Sequence, residues 1–222
     1  MKQQIGICIL ALFACASRAQ LTNLTVNASV NTAIPDGNVT GISSSLNVSG
    51  MYADISDVSL SLNITGGFNG DLYAYLLSPD NSMVVLLNRV GLGSSNPFGY
   101  SDAGFNISLS SAGYNIHDYR NYNPSFTSGQ LTGSWMPDQR TIDPQSAAAA
   151  FDAAPTGKNF DTYFGTDPNG VWTLFISDVS GENQSELVSW GLTIATVPEP
   201  QTWTLLGGGL TALWWLKRKR RK

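Results

Sequence analysis

An all-β sandwich is the fold class that this sequence predicts. Three observations carry the prediction. Apolar residues alternate with polar ones in short runs, turn-forming clusters separate the runs, and Ala147–Phe151 alone suggests a short helix. Roughly eight runs at short spacing point to a single-domain jelly-roll β-sandwich with two sheets. No fixed-period repeat stands out, which argues against a propeller or a solenoid.

The elements follow in chain order. Leu24, Val26, Ala28 and Val30 alternate with polar or small residues. Pro35-Asp36-Gly37 is a turn signal, and Leu46 and Val48 mark the next strand. Val58, Leu60, Leu62 and Ile64 alternate with Ser59, Ser61 and Asn63, the cleanest period-2 run in the chain. Leu72–Leu77 is apolar on both faces and reads as a central strand. After Ser78-Pro79-Asp80-Asn81, Met83–Leu87 reads the same way. Phe105, Ile107 and Leu109 alternate again. Residues 114–135 read as a long loop rich in Gly, Asn and Ser that carries Tyr114, Tyr119, Tyr122, Phe126 and Trp135. Near the end, Trp172, Leu174 and Ile176 form one strand face, and Val188, Trp190, Leu192 and Ile194 form another. Gly66-Gly67, Asn69-Gly70, Asp167-Pro168-Asn169-Gly170 and Ser180-Gly181-Glu182-Asn183 punctuate these runs.

Composition narrows the function. The chain has 222 residues, 42% of them hydrophobic, so a sizeable core can form. Charged residues make up only 13%, which with normal hydrophobicity excludes a disordered chain, a coiled coil or a basic ribosomal-type protein. The net charge of −4 is strongly segregated. Between Gln20 and Thr196, 4 basic residues stand against 15 acidic ones, a balance of −11. Such a body repels phosphate backbones, so no nucleic-acid partner is expected.

The two ends read as targeting segments. Residues 1–19 have the layout of a secretory signal peptide: Lys2, the apolar run Ile5–Ala14, and a small-x-small site at Ser17-Arg18-Ala19 for signal peptidase. Leu12-Phe13-Ala14-Cys15 loosely resembles a lipobox, which the bulky Phe13 fits poorly. Both cysteines, Cys8 and Cys15, lie in this segment, so cleavage at Ala19 leaves a chain without thiol chemistry. After the body, residues 20–196, comes a third segment, residues 197–222. Val197-Pro198-Glu199-Pro200 interrupts strand structure, Thr202–Leu216 is apolar, and Lys217-Arg218-Lys219-Arg220-Arg221-Lys222 is basic. A fifteen-residue apolar helix would span ~22 Å of a ~30 Å hydrocarbon core, a gap that snorkelling and local thinning can close. A C-terminal apolar helix in the membrane before processing, with a cytoplasmic basic stop, is therefore the expectation.

This tripartite end resembles the PEP-CTERM sorting signal of bacterial exosortase substrates, through Pro198-Glu199-Pro200, the apolar Trp203–Leu216 and the basic Lys217–Lys222. The resemblance implies an exosortase partner that removes the tail. It also implies a Gram-negative host with an exopolysaccharide-rich envelope.

A second resemblance covers Ile34–Ile194. Ile34-Pro35-Asp36-Gly37, Ile55-Ser56-Asp57-Val58, Gly70-Asp71-Leu72, Leu77-Ser78-Pro79-Asp80 and Gly165–Ile176 occur in order, followed by Leu187–Ile194 with its Ser189-Trp190. This series resembles the P domain (P/Homo B) that follows the catalytic domain in subtilisin-like proprotein convertases. It implies a jelly-roll β-sandwich, in agreement with the pattern. Thr65-Gly66-Gly67-Phe68 replaces the Thr-His-Thr-like stretch of many members, so no role of that histidine carries over. No subtilisin-like catalytic domain is expected before the module, and the family name licenses no protease activity.

Candidate chemistry is sparse. His117 is the only histidine, no Gly-x-Ser-x-Gly elbow is present, and neighbouring Asp118 would point to the opposite face of a strand. His117 is expected as a solvent-exposed loop residue, and no catalytic residue is assigned. No cofactor is required. Calcium is the candidate ion, with Asp57, Asp71, Asp102 and Asp178 flanking strands, although turns attract Asp without any ion. Tyr114, Tyr119, Tyr122 and Trp135 are candidates for stacking on sugar faces, against the alternative that the loop packs its own aromatics. Seven Asn-x-Ser/Thr sequons, starting at Asn23, Asn27, Asn38, Asn47, Asn63, Asn106 and Asn183, are not read as glycan sites in the bacterial host that the tail implies.

The expectation is an exported, non-enzymatic protein of the cell envelope, cell surface or extracellular matrix, an exosortase substrate with a structural or adhesive role. The alternatives are a carbohydrate- or protein-binding module, with exopolysaccharide as one partner, and a P-domain accessory of a serine protease.

Overall fold

The computed structural model describes residues 22–197 together with residues 209, 213, 214 and 217–219. The body is an all-β sandwich. Its strands are β1 (Thr22–Ala33), β2 (Asn38–Val48), β3 (Ile55–Gly66), β4 (Leu72–Leu77), β5 (Met83–Asn88), β6 (Gly104–Ser110), β7 (Phe126–Thr127), β8 (Gln130–Trp135), β9 (Gly170–Asp178) and β10 (Ser185–Thr196). A short helix, α1, spans Ala148–Phe151, where the alanine run places it.

One sheet has the order β1-β10-β3-β6-β8-β7 and the other β2-β9-β4-β5. The chain changes sheet at β1–β2, β2–β3, β3–β4, β5–β6, β8–β9 and β9–β10, the alternation expected of a jelly roll. Neighbours run antiparallel except β6 and β8, which are parallel. A parallel pair needs a long connection. Residues 111–129 provide it, with a 3-10 turn at Ile116–Tyr122 and the short β7.

Alternation builds the core. Val58, Leu60, Leu62 and Ile64 of β3 face Leu72, Ala74 and Leu76 of β4 and Trp172, Leu174 and Ile176 of β9 within one cluster of buried side chains. Buried indoles need a partner for their N–H. Trp172 Nε1 donates to Pro168 O at 2.9 Å, and Trp190 Nε1 donates to Ser44 Oγ at 2.9 Å across the sheets.

Two local readings are corrected. Residues 130–135 form β8, although the stretch reads as loop. Its inward side chains are Leu131 and Trp135, and Gly133 stands where alternation would put a third apolar residue. In β10 the inward row is Leu187, Trp190, Leu192 and Ile194, with Val188 half-buried. The register against β3 shifts between Leu187 and Ser189, so a β-bulge at Val188 resets the phase of the strand.

The flanks of the sandwich differ. Along β5, Asp138 N donates to Leu86 O and Gln139 N donates to Val85 O, both at 3.0 Å, so a loop covers that sheet edge. On the opposite flank β1 and β2 end their sheets, and Leu24, Val26, Ala28 and Val30 are only half-buried.

The predicted signal peptide, residues 1–19, lies outside the described residues, as do Pro198, Glu199, Pro200, Arg220, Arg221, Lys222 and most of the apolar stretch. Val197 is exposed directly after β10. Residues 213, 214 and 217–219 are helical and exposed, and the Arg218 guanidinium lies 5.2 Å over the Trp214 ring. Among the described residues no helix is long and apolar enough to cross a membrane.

Candidate functional site

Four connections meet at one end of the sandwich, held by backbone and side-chain hydrogen bonds. Asn69 N donates to Asp102 O, Gly70 N to Tyr100 O, Val179 N to Asp71 O, and Ile34 N to Ser185 O. Glu182 N donates to Asp36 Oδ2 at 3.2 Å. Gly70 and Gly99 let two backbones approach closely. A Cβ on Gly70 would lie 2.6 Å from Tyr100 N and 2.7 Å from Gly99 Cα, so any larger residue would push the two loops apart. This approach sets Tyr100 between two clefts.

The first cleft, about 300 Å³, is lined by Phe68, Asp71, Phe98, Tyr100, Ser180 and Glu182. Asp71 and Asp178 lie at and beneath its floor, 5% and 0% exposed. Their proximity follows from register, since β4 begins with Leu72 paired to Asp178. Burial pushes Asp71 up to about 6, against the pull of the Arg89 guanidinium 3.5 Å away. Burial raises Asp178 to about 7, and the charges of Asp71 and Asp36 add to that rise. Ser180 N and Ser185 Oγ donate to Asp178, each at 3.4 Å. A buried carboxylate pair of this kind holds protons near neutrality.

The second cleft, about 440 Å³, is lined by Leu92, Asn96, Tyr100, His117, Arg140 and Asp152, among others. Its wall corrects the reading of His117 as an exposed loop residue: the side chain is buried at 3% exposure. His117 Nδ1 lies 2.7 Å from Asp138 Oδ2, and Nε2 lies 3.1 Å from Leu92 O. A carbonyl only accepts, so Nε2 carries a proton and donates. The Phe151 ring of α1 lies parallel to the imidazole at 6.2 Å. Asp138 is the hub of this cluster. It also accepts from Asn88 N at 3.1 Å and from Arg140 Nη1 at 3.0 Å, and Arg140 reaches Asp118 at 3.7 Å. With both ring nitrogens engaged, His117 works as a clamp between the 3-10 turn, the β5–β6 connection and the segment that covers β5. Asp138 and Arg140 carry no local sequence signal: Gln139 between them has φ +67°, and this turn lets the Arg140 backbone N–H and guanidinium both donate to Asp138 Oδ1.

The sequence candidates separate. Of the four calcium candidates, Asp71 and Asp178 come together. Asp57 is exposed on β3 beside Ala195. Asp102 is engaged elsewhere, accepting from Tyr119 Oη at 2.6 Å and from Arg120 Nε at 2.9 Å. Among the described residues no group of three or more His, Cys, Asp or Glu side chains is placed to hold a metal. The four aromatic candidates split as well. Tyr119 and Trp135 are buried and meet edge-to-face at 6.1 Å, so they belong to the core. Tyr114 and Tyr122 are exposed and stack on each other at 3.9 Å with planes 8° apart. Arg120 lies 4.7 Å over Tyr100, which meets Tyr119 edge-to-face at 4.6 Å.

No protein-family model matches the chain, and no curated protein matches it. Among solved structures it is similar to the serine protease of Aeromonas sobria in complex with a chaperone, with 15% identity and a TM-score of 0.46 over 82% of this chain and 28% of that one. It is also similar to the serine protease of Aeromonas sobria, with 15% identity and a TM-score of 0.44 over 80% of this chain and 27% of that one. The chain thus spans less than a third of the length of the proteins it is similar to.

Proposed function

We propose that the chain is an exported, non-enzymatic β-sandwich protein of a bacterial envelope or extracellular matrix, delivered by an exosortase and acting in a structural or adhesive role. One observation carries the reading: a leader of signal-peptide layout and a Pro-Glu-Pro, apolar, basic end bracket one acidic sandwich. The P-domain-like series from Ile34 to Ile194 accords with a non-catalytic module. Both His117 nitrogens are engaged within the fold, by Asp138 and the Leu92 carbonyl, which supports a structural role for the one histidine. Mass spectrometry of the exported pool tests the reading. The mature protein is expected to lack Lys217–Lys222, and an intact basic end on exported protein would overturn it.

The exposed Tyr114–Tyr122 stack favours a second reading, a carbohydrate-binding module. Pull-down on neutral and acidic polysaccharides with Tyr114→Ala and Tyr122→Ala variants tests it. Loss of binding in both variants supports the reading, and no binding by the wild type removes it.

A further inference from the structure

We propose that β1 is a self-pairing edge, through which two copies of the chain join their six-stranded sheets. Three observations on the same strand point there. First, β1 is twelve residues long and, among the described residues, is paired on one side only, by β10. Natural sheets blunt such edges with charges, proline or a covering segment. Thr22–Ala33 has no charged residue and no proline, and neither does β2, Asn38–Val48, beside it. The pairing with β10 is regular from Thr22 to Ser29 and shifts only between Ser29 and Thr32, where Asn31 has φ +47°. Second, the inward row Leu24, Val26, Ala28 and Val30 is half-buried, and so are Ile42 and Leu46 of β2. Among the described residues the core is incompletely covered along this flank, where a further strand would satisfy both the ladder and the apolar row.

Third, the strand is complementary to itself. Antiparallel pairing about Asn27 puts Leu24 opposite Val30, Thr25 opposite Ser29, Val26 opposite Ala28, and Asn27 opposite the Asn27 of the second copy. Apolar residues meet apolar ones on the core side, and hydroxyls and amides meet on the outer side. A two-fold axis through Asn27 makes this an isologous contact that closes at two copies. The uncharged flank also lets two bodies of −11 approach without like charges meeting at the seam. The occupant is therefore a second copy of this chain. Asn27 is exposed and lies over Gly191, where a Cβ would collide with its Oδ1, so position 27 can change without disturbing the core.

The test uses the full chain in mild detergent and at low salt, followed by sedimentation velocity across the micromolar range. Wild type is expected to form a dimer that dissociates on dilution. Asn27→Lys and Asn27→Asp each put like charges face to face and are expected to weaken the dimer by at least about tenfold. An equimolar mixture of the two variants is expected to restore it, and each variant alone should keep the far-ultraviolet spectrum of the wild type. Amides in Thr22–Ser29 should exchange more slowly as wild-type concentration rises. A monomer throughout the range overturns the proposal. So does a dimer that survives in both variants, as association through the apolar end or through another face would. Failure of the mixture to restore the dimer overturns it too. None of these outcomes depends on export or tail removal.

Discussion

Along β5 the protein closes its sheet with a segment of its own chain, while along β1 and β2 none of the described residues covers the edge. The closed flank carries a buried charged network: Asp138 gathers His117, Arg140 and the Asn88 amide, and its own backbone N–H pairs with Leu86. The bare flank has twenty-three strand residues in β1 and β2 without a single charge. A buried network gives one flank a unique conformation at a high cost for any missing member. An uncharged, half-buried strand leaves the other flank open to addition.

The largest expected effect breaks the closed flank. Asp138→Ala strips His117, Arg140 and Asn88 of their shared acceptor, and loss of one partner from a buried pair costs about 3–5 kcal/mol. Urea unfolding should report that loss, and hydrogen exchange should show the β5 amides losing protection first. A cost below about 1 kcal/mol would mean that the network is dispensable for closure. Next comes a contrast between two leucines. Leu76→Ala, in the closed core at 0% exposure, is expected to cost about 2–5 kcal/mol. Leu24→Ala on the bare flank should cost less than half as much in the monomer, because its side chain already meets solvent.

A smaller effect tests the end that joins the flanks. Burial makes Asp71 and Asp178 titrate higher in the folded protein than in an unfolded chain, at about 6 and about 7. The folded state therefore binds more protons between pH 4 and 7. This stabilisation is full below about pH 4 and is lost as pH rises through the two folded values. The melting temperature should fall across that interval, and Asp178→Asn should flatten the slope by at least about 1 kcal/mol, the weight of roughly one pKa unit. The smallest effect concerns Tyr114→Ala, whose exposed stack on Tyr122 is expected to contribute about 1 kcal/mol or less to stability.

Much of the sandwich was legible in the sequence because alternation is a local signal. Leu72–Leu77 reads as a strand with the bounds it has in the fold, and Val58–Ile64 faces inward as its pattern says. The signal fails where the backbone departs from a plain pleat. Gly133 has no side chain to mark the inward side of β8, and the bulge at Val188 turns Leu187 inward. The site was half legible. Asp71 and Asp178 stand out as acids beside turns, but their proximity depends on the β4–β9 register. Nothing local joins His117 to Asp138, twenty-one residues away, or separates the buried Tyr119 from the exposed Tyr122.

The placement of the few basic side chains also bears on resistance to proteolysis. In the sandwich, Arg89 and Arg140 are 15% exposed and tied to Asp71 and Asp138, and Arg120 lies against Tyr100 and Asp102. Lys158 stands exposed in the loop between α1 and β9. A trypsin-like peptidase that meets the folded body finds its preferred residues either drawn into ion pairs or confined to that one loop. Limited digestion should therefore nick the body first after Lys158.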